Sequence, residues 1–215
     1  MDKFLGLDSK FYKIGTWLGD MAVLVFLWFL CSIPLFTFGA STTAVYYVTT
    51  RQLSQKEGYI SGDFFKSFKT NFITATAVTV LFLCMFYAEY INISNMSKSS
   101  IVYPLQFFVV YELTATLCFA FPLLSRFDFK FWKLLSMSFM MANRHFLTSF
   151  TCVLFLFVFV YFMYVITAPF YIYPIFMMVF MAAYAPLTSM MFMKVFRKYE
   201  PTLDVDKEDN FSVEE

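Results

Sequence analysis

The sequence predicts an all-α, polytopic membrane protein, and three observations carry that prediction. Of the 215 residues, 60% are hydrophobic and only 14% are charged, a balance that exceeds what one soluble core can hide. Aromatic residues reach 23%, with 32 Phe and 14 Tyr, and the mean hydropathy is +0.66, which excludes a disordered chain. Charge-free runs of 30, 19 and 48 residues occupy positions 21–50, 70–88 and 146–193. Each is long enough for a helix to cross about 30 Å of hydrocarbon.

Taken in order, residues 1–16 alternate charges with Phe4, Leu5, Leu7, Phe11 and Tyr12. They read as an amphipathic segment at the membrane interface and not as a cleavable signal. Residues 17–198 form a single membrane bundle, with spans expected at 17–38, 72–91, 101–125, 146–168 and 172–193. The 48-residue run holds two of these spans, turned between Pro169 and Pro174. Residues 199–215 read as an acidic, disordered cytoplasmic tail.

Lys and Arg near span ends stay on the cytoplasmic side. Five crossings gather twelve cations on one side against Lys3, Lys10, Lys13 and Lys98 on the other, which places the N-terminus outside and the C-terminus inside. The alternative folds 17–50 into a hairpin or re-entrant pair broken around Pro34 and Gly39, with the N-terminus inside. It separates charge better, leaving only Lys98 outside, but needs two helices of about 17 residues, the minimum for a crossing. Five crossings are the expectation, with 34–39 irregular in either case.

Two cytoplasmic stretches resemble each other. In one, Asp63 can cap a helix with Phe64, Phe65, Phe68 and Phe72 on one arc and Lys66 and Lys69 opposite. In the other, Asp128 can cap a helix with Phe131, Trp132, Leu135 and Phe139 on one side and Lys130 and Lys133 opposite. Such helices rest on lipid headgroups or dock on a protein, and with Arg144 and His145 they form a candidate docking set. A second recurrence is Pro-Leu-x-Ser/Thr, beginning at Pro34, Pro122 and Pro186. Proline frees a carbonyl that a nearby hydroxyl can re-satisfy, so Pro34, Thr37, Gly39, Pro122, Ser125, Pro186 and Thr188 are candidate bends or hinges.

Residues able to carry chemistry are few. Cys31, Cys84, Cys118 and Cys152 fall one per span without a pairing motif, and read as buried apolar thiols. His145 is the single histidine, so a metal site or a Ser-His-Asp triad has little to draw on. No phosphate-cradling glycine motif occurs, and neither cofactor nor nucleic acid is expected. Glu112 lies mid-span, where a carboxylate costs at least about 2.5 kcal/mol unless paired or hydrated, and must face protein or water. Asp20 and Glu89 are placed at outer ends, where they could share a cavity with Glu112. Trp17, Tyr87, Tyr90 and Tyr103 fit an outer aromatic belt. Small residues around Gly39 and Ala44 leave homo-oligomerisation open.

The run from Ser32 to Phe72, with Pro34, Thr37, Gly39, Ala44, Tyr46, Tyr47, Glu57, Gly58, Tyr59, Asp63, Phe64, Phe65, Lys66 and Phe68, resembles the YesL-like family of small bacterial integral membrane proteins. So does FPLLSRFDFKFWKLL followed by Arg144 and His145. The chain departs at Phe129-Lys130, where the family commonly carries an Asn-type residue. The resemblance implies a multi-pass protein of Gram-positive cell membranes, encoded beside carbohydrate-uptake ABC transporters, and it brings no catalytic residues. The expected function is a non-enzymatic accessory subunit contacting transporter permease or ATPase subunits. The alternative is a stand-alone transporter or solute-binding protein using Glu112.

Overall fold

The computed structural model describes residues 10–54, 58–95, 102–165 and 172–199, with side chains from Gly15 onward. They form α1 (Lys10–Ser32), a 3-10 turn (Leu35–Thr37), α2 (Phe38–Leu53), α3 (Ile60–Asn95), α4 (Tyr103–Arg126), α5 (Phe131–Arg144), α6 (Phe146–Val165) and α7 (Tyr173–Phe196). Among the described residues there is no strand. Helices α1, α3, α4, α6 and α7 are long and apolar enough to cross a membrane, the pattern of a multi-pass membrane protein. The expected interfacial segment lies mostly, and the acidic tail almost wholly, outside the described residues, as does most of the turn before Pro174.

The first charge-free run is two antiparallel helices. Pro34, at φ −74° and ψ 113°, has no N–H with which to continue α1. The Thr37 hydroxyl lies 2.6 Å from the Cys31 carbonyl and 2.7 Å from the Pro34 carbonyl, so one proton holds the turn against two acceptors. From Phe38 the chain returns as α2. The Trp28 indole donates to Thr42 Oγ1 at 3.2 Å, and Gln52 Nε2 donates to Asp20 Oδ2 at 3.5 Å. Residues whose numbers sum to about 70 therefore face each other along the pair.

This is the hairpin geometry of the alternative reading: a first helix of spanning length is present as expected, but it ends at Ser32 and not at Phe38. Sixteen residues of α2 rise about 24 Å, less than the hydrocarbon thickness of about 30 Å. The tip meets α3 near Ala75 and Thr79, about halfway along its 36 residues. Ser54 Oγ reaches Met193 Sδ at 3.9 Å, so the last turns of α7 share the end of the bundle where Asp20 and Gln52 sit. Reading 17–38 as one span sets Asp20 and Gln52, which meet here, at opposite ends of the bundle.

Helix α2 is the centre of the bundle. Every residue from Gly39 to Thr49 is buried, against α1, α3, α4 and α7. Its hydroxyls are spent on its own backbone: Ser41, Thr42, Thr43, Thr49 and Thr50 donate to the carbonyls of Thr37, Phe38, Gly39, Val45 and Tyr46. Gly39 has a steric reason. A Cβ there would overlap Thr79 Oγ1, lie 2.5 Å from the Phe121 ring and lie 2.8 Å from the Ala75 carbonyl.

The two expected surface helices are built differently. Asp63 is the fourth residue of α3, not its cap, because the expected helix and the following span fuse into one 36-residue rod. Its phenylalanine arc splits: Phe64 is fully buried, whereas Phe65 is 42% exposed. Asp128 does not cap α5 either, since the helix starts at Phe131 after an extended Lys130 with no side-chain cap. The buried face of α5 is Leu134, Ser138, Met141 and Ala142, an i, i+4, i+7, i+8 stripe. Trp132, 79% exposed, and Phe139 point away from it.

Two outcomes follow. In a cysteine-free background, Trp17→Cys and Ser54→Cys react with a membrane-impermeant thiol reagent from the same side of the membrane; labelling from opposite sides would mean α1 and α2 do not pair. Gly39→Ala lowers the thermal midpoint of the purified protein, because an added methyl in a closed contact costs about 1–3 kcal/mol, whereas Gly15→Ala or Gly19→Ala, inside α1 where a Cβ meets nothing within 4 Å, does not lower it, since Ala is the better helix former.

Candidate functional site

At the open end of the hairpin an ion pair ties α2 to α3. Arg51 closes α2, and its Nη1 donates to Asp63 Oδ1 at 2.9 Å and reaches the Tyr47 hydroxyl at 3.4 Å. The Tyr47 ring, one turn earlier, lies 5.8 Å from the guanidinium carbon. Gly58 itself lies against the same pair: a Cβ there would overlap Asp63 Oδ2 and sit 3.6 Å from Arg51 Nη2. Asp63, expected as part of a docking surface, is thus an internal partner of Arg51. Both side chains keep partial exposure, at 24% and 16%, so the pair avoids the desolvation of a fully buried one.

Deeper in the bundle, three helices meet through hydroxyls and a thiol. Thr188 donates to the Tyr184 carbonyl at 2.7 Å, which leaves its oxygen to accept from the Tyr46 hydroxyl at 3.1 Å. The Tyr184 hydroxyl lies 3.8 Å from Cys118 Sγ. Tyr46 also packs edge-on against Phe192, which packs edge-on against Phe119. Beside this cluster lies a cavity of about 250 Å³, bounded by α1, α2, α4, α6 and α7. Sequence reasoning singled out Thr188 through its proline motif and named Tyr46 only among the residues of the family resemblance; it missed Tyr184 and Trp28, whose partners are distant in sequence.

The three acidic candidates do not converge. Glu112 is half-buried in a groove between α3, α4 and α5 lined by Phe82, Phe108, Leu113 and Phe139. It accepts a hydrogen bond from Asn143 Nδ2 at 3.1 Å, so it faces protein as expected, through an asparagine on α5 that the sequence did not flag. Asp20 pairs with Gln52 at the Arg51 end. Glu89 lies 26 residues beyond Asp63 on α3, about 39 Å along the axis, and is 8% exposed. Asp20 and Glu89 therefore cannot share an outward-facing cavity, and Trp17 cannot join Tyr87 and Tyr90 in one belt.

The proline motifs separate into one break and two continuations. Pro34 ends a helix, whereas Pro122 and Pro186 sit inside α4 and α7. Ser125 donates to the Pro122 carbonyl at 2.7 Å and Thr188 to that of Tyr184, so neither hydroxyl bonds the carbonyl that its proline frees four residues earlier. Gly39 is a point of close packing against α3 and α4. Among the thiols, all four are free, and Cys84 is exposed, contrary to the expectation of burial.

Lys66, Lys69, Asp128, Lys130, Lys133 and Arg144 are exposed. Lys133 sits over the Phe129 ring at 5.1 Å. Arg144 and His145 hold Tyr199, which follows α7: His145 Nε2 and the Tyr199 hydroxyl share a hydrogen bond at 3.0 Å, and the Arg144 guanidinium lies 5.7 Å from the ring centre. Burial of the imidazole, with Lys198 and Arg144 nearby, lowers its pKa from the ordinary value. Among the described residues no cluster of His, Cys, Asp and Glu is placed to hold a metal.

A depressed folded-state pKa means that the neutral imidazole is the form the fold favours. The contribution of His145 is fully present above its ordinary value of about 6.5 and falls as pH drops below it. The thermal midpoint should therefore decline on acidification more steeply than that of His145→Gln; parallel pH profiles would remove His145 from the account.

No curated protein and no solved structure matches the chain. One family model does match, that of DUF624, described as a protein of unknown function, and its residues 21–93 cover the hairpin from Met21 through the Arg51–Asp63 pair to the last turn of α3.

Proposed function

We propose that this chain is a YesL-like, non-enzymatic accessory or regulatory subunit of an ABC-type carbohydrate transporter in the cell membrane, with its C-terminus in the cytoplasm. The observation that carries the reading is the two-sided character of α5. One side is buried by Leu134, Ser138, Met141 and Ala142, while the other presents Trp132 and Phe139, with Lys130 and Lys133 beside them. A fixed helix displaying aromatic side chains beside cations suits a protein partner at the membrane boundary. Lys66 and Lys69 extend the positive charge along the first turns of α3. The transporter as partner rests on the resemblance of residues 32–72 to the YesL-like family.

The alternative, transport by the chain itself through Glu112, draws on the groove in which that carboxylate meets Asn143. Affinity purification in mild detergent from the native membrane separates the two. Recovery of permease or ATPase subunits that disappears when Lys66, Lys69, Lys130 and Lys133 are changed to Glu supports the accessory reading. A partner-free preparation that moves solute in liposomes, with the rate abolished by Glu112→Gln, replaces it.

A further inference from the structure

The cavity beside Tyr46 and Tyr184 has the chemistry of a site for one particular guest. Its wall on one side is Trp28, Phe38 and Phe121, and on the other Phe159, Phe180 and Tyr184. The second set is itself stacked, with ring centres 3.9 Å and 5.1 Å apart. Val160 and Met177 stand at its edge, 62% and 46% exposed. They belong to α6 and α7, both long and apolar enough to cross a membrane, so the exposed edge of the cavity lies on the sides of two spans.

The polar groups at its lining already have partners inside the protein. The Trp28 N–H is taken by Thr42, whose own proton goes to the Phe38 carbonyl. The Tyr46 hydroxyl donates to Thr188, and Tyr184 faces Cys118. A sugar or other hydroxylated solute would enter without compensating hydrogen bonds and lose its hydration. A hydrocarbon chain has no hydrogen bonds to give up there and restores the dispersion contacts that an empty apolar space forfeits.

We propose that this cavity binds one acyl chain of a bilayer phospholipid, drawn in past Val160 and Met177. The occupant is defined by the apolar lining, the satisfied polar groups and the mouth at that edge together.

The test uses the full chain carrying Trp17→Phe and Trp132→Phe, both exposed positions, which leaves Trp28 as the sole indole. Trp28 is buried, so bromine reaches it through an acyl chain inside the cavity. The protein is reconstituted in phosphatidylcholine vesicles with and without bromine along the acyl chains. A second version adds Val160→Phe and Met177→Phe to close the mouth, with helicity and elution profile checked against the first. Loss of Trp28 emission in brominated vesicles, restored by closing the mouth, supports the site. Unquenched Trp28 overturns it, and so does quenching that the closed mouth leaves unchanged. Should the double closure misfold, Met177→Phe alone serves the same comparison.

Discussion

The close approach of α2 to α3 at Gly39 is the constraint on which the rest of the bundle depends. Within a membrane every backbone polar group must be satisfied internally, and apolar side chains gain little by leaving lipid for one another. Close packing then has to hold helices together. A residue with no Cβ lets the start of α2 lie against the Ala75 backbone and beneath the Phe121 ring. The alanines, serine and threonines that follow keep that distance along the helix. Their hydroxyls turn back on the backbone, so a helix of modest apolarity sits at the centre without turning these hydroxyl protons on its neighbours.

The hairpin is fixed at both ends by different physics. At its tip the fastening is steric and involves the Gly39 contact and the Thr37 hydroxyl under Pro34. At its base it is electrostatic, through Arg51 and Asp63 with Tyr47 alongside. Between them the Trp28–Thr42 bond sets the pairing of α1 with α2. The region matched by the family model, residues 21–93, contains all of these contacts among α1, α2 and α3 except Asp20 with Gln52. Those residues form one interlocked unit, against which α4 and α7 pack through Phe121, Phe192 and Tyr46.

Outside that unit the chain leaves much apolar surface uncovered. Helix α6 buries little besides Ser149 and Cys152, and α5 turns Trp132 outward. The two surfaces call for different company. Aliphatic and aromatic side chains exposed along α6 suit lipid, whereas an indole at the start of α5, with Lys130 and Lys133 close in sequence, suits a boundary where apolar and charged groups are met together. The cavity behind Val160 and Met177 belongs to the first kind, and the basic end of α3 with α5 to the second.

The sequence by itself determined that the chain is helical and membrane-embedded, because charge-free runs of sufficient length report directly on the solvent around each segment. It also located the break near Pro34, since a missing N–H is a local property. It could not decide whether that break joins two halves of one crossing or the two arms of a hairpin. That choice rests on Trp28 meeting Thr42 and Gln52 meeting Asp20, contacts between residues 14 and 32 positions apart. The same holds for Glu112, legible as a carboxylate that needed company but not as the partner of Asn143. It holds too for Asp63, whose local signature as a helix cap gave way to a cation twelve residues earlier. Periodicity names the residues that must be covered; only the tertiary structure decides which neighbour covers them, because pairing depends on helix direction and crossing, and these are set by small-residue contacts such as Gly39 that leave almost no trace in composition.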